Sequence, residues 1–160
     1  MRPPEPRFVP ARRGEPFVRD ERSGLVWHRV GHRTLYADTD RSQVVYHANY
    51  LRFFELGRAS LLRDVGFPYR EVEQSGFVYP IVDLALRFVR PLYYDDRMWI
   101  QTRPLRREVV AVTFDYAITR AEDGALVCTG YTRHCALNER GVVVEVDPKT
   151  VRVFADFPVE

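Results

Sequence analysis

Two carboxylates and a histidine stand close together ahead of an aromatic-rich stretch, in the segment YADTDRSQVVYHANYLRFFELGR from Tyr36 to Arg58. Asp38 and Asp40 precede His47 by nine and seven residues, and Asn49 opens a run with helical spacing. A helix N-terminus presents unpaired N–H groups and a partial positive charge, so it attracts anions and polarises a carbonyl oxygen. The backbone N–H of His47 is the candidate donor, and either aspartate is near enough in sequence to act as a nucleophile or to activate water. A carboxylate is a weak base, and it attacks a thioester more readily than an amide because a thiolate leaves more easily. Acyl chemistry on a thioester is therefore the reading, set against the plainer one in which Asp38 and Asp40 end a strand and supply turn hydrogen bonds.

The elements that must position these groups follow from periodicity. Val26 to Tyr36 reads as a strand ending at the Asp38/Asp40 turn. Asn49 to Val65 reads as a helix, with Asn49 as N-cap, Gly66 at C′ and Pro68 just beyond. Tyr50, Phe53, Phe54, Leu56, Leu61, Leu62 and Val65 cover more than one of its faces, so other elements must enclose it. Strand-like runs follow at Val78–Val89, Met98–Leu105, Val109–Ile118 and Leu126–Leu137, with Glu122-Asp123-Gly124 as a hairpin turn. In the third run Val112, Phe114, Tyr116 and Ile118 alternate with Thr113, Asp115, Ala117 and Thr119, the half-buried strand pattern. A shorter strand near Val142 to Val146 and a terminal segment after Pro148 complete the pass. The fold class expected is α+β, an antiparallel sheet curved around a central helix. Sheet edges left open by this arrangement suggest pairing with a second copy, hence a homo-oligomer.

Composition bounds the function. The 160 residues suit one domain with a sizeable core. Residues 1–22 hold five of the eleven prolines with little apolar periodicity and read as a disordered or loosely docked arm, leaving 23–160 as a single domain. Net charge is +2, and 23 of the 24 basic residues are Arg, interleaved with acids and without a like-charge run, which argues against nucleic acid or an anionic membrane surface as partner. Cys128 and Cys135 on one strand would stand about 23 Å apart at about 3.3 Å per residue, too far for a disulfide. No zinc-ligand spacing, membrane-span-length apolar run or signal-peptide apolar core occurs in the sequence, and a cytoplasmic protein with no metal or other cofactor is expected.

The pattern D-T-D-x-x-x-V-V-Y-H-A-N-Y-L-x-x-F-E-x-x-R, Asp38 to Arg58, resembles the 4-hydroxybenzoyl-CoA thioesterase family of hotdog-fold acyl-CoA thioesterases. The similarity extends over roughly Trp27 to Phe154. It implies a five-stranded antiparallel sheet around a central helix, dimers with a continuous sheet, active sites at subunit interfaces, Asp40 as the catalytic carboxylate and the His47 N–H as oxyanion donor. Asp38 becomes a supporting neighbour. Many relatives carry glycine where this chain has Gln43; glycine there permits an unusual backbone angle or close substrate approach, and Gln43 introduces a side chain. Tyr46 and Asn49 flank His47, whose ring either shapes the turn or acts as acid or base. Glu55 and Arg58 have the i, i+3 spacing of an ion pair, and Glu55 is the alternative carboxylate, since other hotdog thioesterases use a glutamate on this helix. A basic cluster in the family contacts coenzyme A phosphates at the position of Arg106 and Arg107, with Arg103 beside it, while Glu108 tempers that charge. His134 and Cys135 read as ordinary strand residues. Two further functions remain open: a hydratase or dehydratase of acyl thioesters using His with an acid, and a non-catalytic acyl-CoA-binding module.

Overall fold

The computed structural model describes residues 4–158. Seven antiparallel strands form one sheet: β1 (Phe8–Pro10), β2 (Phe17–Asp20), β3 (Val26–Arg33), β4 (Ile81–Phe88), β5 (Arg97–Arg107), β6 (Ala111–Arg120) and β7 (Leu126–Cys135). Their order across the sheet is β1-β2-β3-β5-β6-β7-β4. Three helices accompany them, α1 (Asn49–Asp64), α2 (Tyr69–Gln74) and α3 (Pro148–Asp156). The five strands expected from the body of the chain are β3 to β7, and the arm supplies the other two. β4 does not hairpin onto β5; it pairs with β7 at the far edge, so the chain crosses the sheet between them.

α1 buries Tyr50, Phe53, Phe54, Gly57, Leu61 and Leu62, a stripe at i, i+3, i+4 spacing, against β3, β5 and β6. The Phe54 ring stacks on Tyr116 at 4.2 Å between centroids. Gly57 permits the close approach to β5: a Cβ there would overlap Thr102 Oγ1 and stand 2.7 Å from Ile100 Cγ2. The opposite face, with Arg52, Glu55 and Leu56, is open, so the sheet covers the helix on one side only and the expected enclosure is narrower. At its C-terminus Gly66 adopts φ +88°, with Gly66 N–H bonded to Arg63 O and Phe67 N–H to Leu62 O, the double bond pair of a Schellman cap.

The arm is where sequence and structure differ most. Residues 8–20 carry two strands of the sheet, and Arg29 pairs with Glu15 across that junction. Phe8 meets Trp27 edge-on at 5.5 Å, and Val18, Trp27, Ala117 and Leu126 form a second apolar cluster. Because side chains alternate along β6, Ala117 lies opposite the face that packs on α1. The cluster explains why Ala117 is buried although its place in the alternation reads as a solvated face. A few large apolar residues dock an otherwise polar arm. The expectation for Met1–Pro3 lies outside the described residues.

Smaller differences have local causes. The strand expected at Val142–Val146 is reduced to a single bridge between Leu137 and Val143. The segment after Pro148 is α3, capped by Asp147, whose carboxylate accepts the Thr150 N–H at 2.9 Å. α2, six residues after Pro68, has too few turns to show a period.

Candidate functional site

Thr39 and Val45 form an antiparallel bridge, and Asp40 N–H donates to Val44 O at 3.0 Å, so Thr39–Val45 is a tight hairpin. Its turn closes through Gln43 N–H to Asp40 O at 2.9 Å and Ser42 N–H to the Asp40 carboxylate at 2.7 Å. Three loop residues, Arg41, Ser42 and Gln43, connect the arms, and Gln43 has φ +67°. A three-residue hairpin loop places its last residue in the left-handed region, where glycine is favoured. The departure from the family glycine therefore falls on a position that adopts the glycine backbone while bearing a side chain. Asp40 is exposed at the tip.

Asp38 has the opposite character. Its side chain is 1% exposed and its carboxylate accepts the Leu35 N–H at 2.8 Å, with Arg52 Nη1 at 3.3 Å and His32 Nε2 at 3.6 Å. Its carbonyl accepts the Tyr46 N–H and the Asn49 side-chain amide, both at 2.9 Å. The residue thus ties together the two arms of the hairpin and the start of α1. Asn49 does not cap that helix: it is the first helical residue, Ala48 occupies the cap position, and the Asn49 amide reaches back to Asp38.

The turn into α1 leaves donors free. Asn49 N–H bonds Tyr46 O, and Tyr50 and Leu51 N–H make long bonds of 3.4 and 3.3 Å to His47 and Ala48. Among the described residues the N–H groups of His47 and Ala48 have no hydrogen-bond partner. His47 lines a groove of about 270 Å³ with Val44, Val45, Tyr50 and Phe88, an apolar trough beside two unpaired donors at a helix start. Its ring is exposed and rests 4.4 Å from that of Tyr46. No described hydrogen bond or ion pair joins that ring to Asp40.

Other expected residues separate from this constellation. Glu55 is exposed on the open face of α1, and Arg58 donates to Tyr116 Oη at 3.1 Å instead of pairing with Glu55. Arg103 is not free for phosphate: its Nε is 3.6 Å from Asp115, whose carboxyl burial pushes above its usual range, and its guanidinium lies 5.4 Å from the Trp27 ring centre. Arg106 and Arg107 are exposed near the end of β5, past a bulge at Pro104–Arg106. Glu108 is held below the usual range by Arg133, which binds it with two nitrogens, and Arg106 acts on it more weakly. Cys128 and Cys135 are both free thiols, and burial pushes Cys128 up to about 12.

The sequence reading missed two sets of partners. Arg52 and His32 around Asp38 carry no local spacing signal. His134 is not an ordinary strand residue: its ring is bonded at both nitrogens, to Tyr79 O and Thr132 Oγ1, each at 2.9 Å. The signal was the polar pair Thr132 and His134, two apart and so on one face of a strand otherwise apolar there.

Residues 34–154 match the Thioesterase-like superfamily. The chain belongs to that superfamily. It is 42% identical to YneP of Bacillus subtilis over 67 residues, 42% of this chain and 49% of that one, so the match spans about half of that relative. It is 34% identical to a 1,4-dihydroxy-2-naphthoyl-CoA hydrolase of Thermosynechococcus vestitus over 103 residues, 64% of this chain and 70% of that one. The crystal structure of a 1,4-dihydroxy-2-naphthoyl-CoA thioesterase from Synechocystis superposes with TM-score 0.76 over 82% of this chain and 98% of that one, at 20% identity, which establishes the shared hotdog fold. A thioester hydrolase is the enzyme class that these likenesses support.

Proposed function

We propose that the protein hydrolyses the thioester of an acyl-CoA to the free acid and coenzyme A, as its resemblance to the 4-hydroxybenzoyl-CoA thioesterase family also suggests. The observation that carries this reading is the hairpin that holds an exposed carboxylate, Asp40, one short arm away from the free N–H groups of His47 and Ala48, with His47 lining a largely apolar groove. The thioester carbonyl oxygen takes these N–H groups, which stabilise the charge that develops on it. Asp40 either attacks the carbonyl carbon, forming an anhydride that water then opens, or takes a proton from water as that water attacks. In both routes the carbon–sulfur bond breaks, a carbon–oxygen bond forms, and the thiolate leaves and is protonated. Asp38, Tyr46 and Asn49 hold the turn. Gln43 sets the hairpin loop, and Arg106 and Arg107 offer exposed guanidinium groups to the coenzyme A phosphates.

A homo-oligomer, a dimer or a dimer of dimers, fits the edge strand β4, where Ile81, Val82, Leu84 and Phe88 are exposed. Two free thiols fit a reducing, cytoplasmic setting, and no helix among the described residues is long and apolar enough to cross a membrane. A hydratase acting through an Asp–His side-chain pair is disfavoured, because Asp40 and the His47 ring have no described contact. The test is Asp40→Asn assayed for thiol release across a panel of acyl-CoAs. Loss of turnover with the fold intact is expected, and full activity would remove Asp40 from the mechanism.

A further inference from the structure

The second half of α1 borders a cavity of about 40 Å³ lined by Arg58, Leu62, Val72, Tyr79, Phe114 and His134. At about 10 to 15 Å³ for each water-sized position, it holds about three heavy atoms, the size of a carboxylate. Two of its polar lining residues, His134 and Arg58, are the ends of a one-way chain of hydrogen bonds that runs behind the wall through Thr132 and Tyr116. Tyr79 O is a backbone carbonyl and can only accept, so His134 Nδ1 carries the proton and Nε2 is the acceptor. Thr132 then donates to His134 Nε2, Tyr116 donates to Thr132 at 2.7 Å, and Arg58 donates to Tyr116. The imidazole is neutral in this arrangement, so Arg58 is the positive charge of the cavity.

That charge lacks a counter-ion. Tyr116 Oη accepts one of the five N–H donors of the guanidinium, Arg58 is half-buried, and no carboxylate among the described residues lies within ion-pair distance of it. Asp147, near the cavity, is occupied by Tyr79 and by both Thr150 donors. Glu71 faces Lys149. A cation beside the apolar walls of Leu62, Val72 and Phe114 bears a desolvation cost that a bound anion would offset.

We propose that this cavity is a carboxylate-binding subsite in which Arg58 pairs with the anionic end of a ligand. On the thioesterase reading above, on which this second step rests, the ligand is an acyl thioester whose chain ends in a carboxylate. Within one chain the cavity and the His47 groove lie toward opposite ends of β4: Ile81 pairs with His134, and Phe88 lines the groove. The seven-residue separation is about 23 Å, too long for a short acyl chain. Antiparallel pairing of two β4 edges about a two-fold axis sets the cavity of one copy at the end of the strand where the other copy carries its groove.

The test is calorimetric titration of the wild type, Arg58→Gln and Tyr69→Glu with pentanoate and with the neutral pentanamide, followed by turnover of glutaryl-CoA against pentanoyl-CoA. Tyr69 is on the cavity rim and 46% exposed, so the glutamate tests the site without loading the core even where Arg58→Gln fails to fold. The wild type is expected to prefer the acid over the amide by roughly 10- to 100-fold, the ratio expected of a charge-assisted hydrogen bond. Both variants should lose that preference while amide binding holds. Equal binding of acid and amide by the wild type, or a preference that survives in the variants, overturns the subsite. Acid preference with no thioester cleaved upholds the subsite and removes the hydrolase reading. Cleavage of both thioesters at one rate without acid preference does the reverse.

Discussion

Asp38 and Asp40 are the two carboxylates of one motif, one buried and bonded and the other exposed at a loop, and the proposed reaction gives them different work. Replacing each in turn separates the roles. Truncating Asp38 to Ala leaves the Leu35 N–H without its acceptor in a site that is 1% exposed, a loss of about 1 to 3 kcal/mol. The pair with Arg52, itself 64% exposed, adds about 0 to 1 kcal/mol. The total, about 1 to 4 kcal/mol, lowers the Tm of a chain this size by roughly 3 to 12 °C, at about 3 °C per kcal/mol. Asp38→Asn keeps an oxygen for Leu35 and gives up the charge, so about 1 kcal/mol and about 2 to 4 °C are expected.

Activity separates further. The carbonyl that holds Tyr46 and Asn49 belongs to the backbone and survives either change, so Asp38→Asn should retain turnover within about tenfold, a barrier change of about 1.4 kcal/mol. Asp38→Ala loosens the turn, and a displacement near 1 Å is enough for about a 100-fold loss. Asp40→Asn shifts Tm by only a few degrees, because the side chain is exposed and an amide still accepts from Ser42 N–H, yet it should cost about 10² to 10⁴ in kcat through loss of the base or nucleophile. Thermal unfolding and thiol release, measured on the same preparations, give both axes. The opposite ranking, an inert but stable Asp38→Asn beside an active Asp40→Asn, would refute the assignment and make the buried carboxylate the reactive one.

Three other outcomes follow from the packing and the buried histidine. Gly57→Ala puts a methyl against Thr102 and Ile100, costing about 1 to 3 kcal/mol of overpacking against about 1 kcal/mol of helix propensity, so a net loss of about 0 to 2 kcal/mol should appear in urea unfolding, and a gain would refute the close approach. Gln43→Gly relieves about 1 kcal/mol of left-handed strain and gives back about 0.5 to 1 kcal/mol in the unfolded chain, so stability should stay within about 0.5 kcal/mol, whereas Gln43→Val should lose about 1 kcal/mol or more. Burial, helped by the Arg58 cation, pulls His134 down to about 4, below the value near 6.5 of an unfolded chain. The unfolded state therefore binds more protons between these values, and stability is complete above about pH 6.5 and falls by about 3 kcal/mol as pH drops to about 4. His28, also lowered by burial, adds in the same direction. Urea midpoints against pH should flatten in His134→Gln, and an unchanged slope would refute the neutral ring.

What the sequence made legible is what depends on near neighbours along the chain. The span of α1, its Gly66 stop, the four later strands and the thiols too far apart to pair all follow from spacing and turn residues, and they appear in the fold within a few residues. Thr39–Val45 is also local, and the odd residue inside it, Gln43, lies at the loop position whose backbone angle explains the family glycine. The misreadings concern partners distant in sequence. Phe8 and Val18 look isolated in a proline-rich arm, and only Trp27, Ala117 and Leu126, brought together by the sheet, make them a core. Arg103 and Arg58 look like surface cations until Asp115, Trp27 and Tyr116 are placed beside them. His134 has no sequence neighbour that explains it beyond Thr132, and its other contact, Tyr79 O, is 55 residues away. A motif is therefore readable when one hairpin and one helix start assemble it, as with the loop that carries Asp40 and the turn at His47. It says little about a pocket such as the one at Arg58, whose walls come from five separate elements and the segment before β4, and whose charge acquires meaning only from the absence of a counter-ion among the described residues.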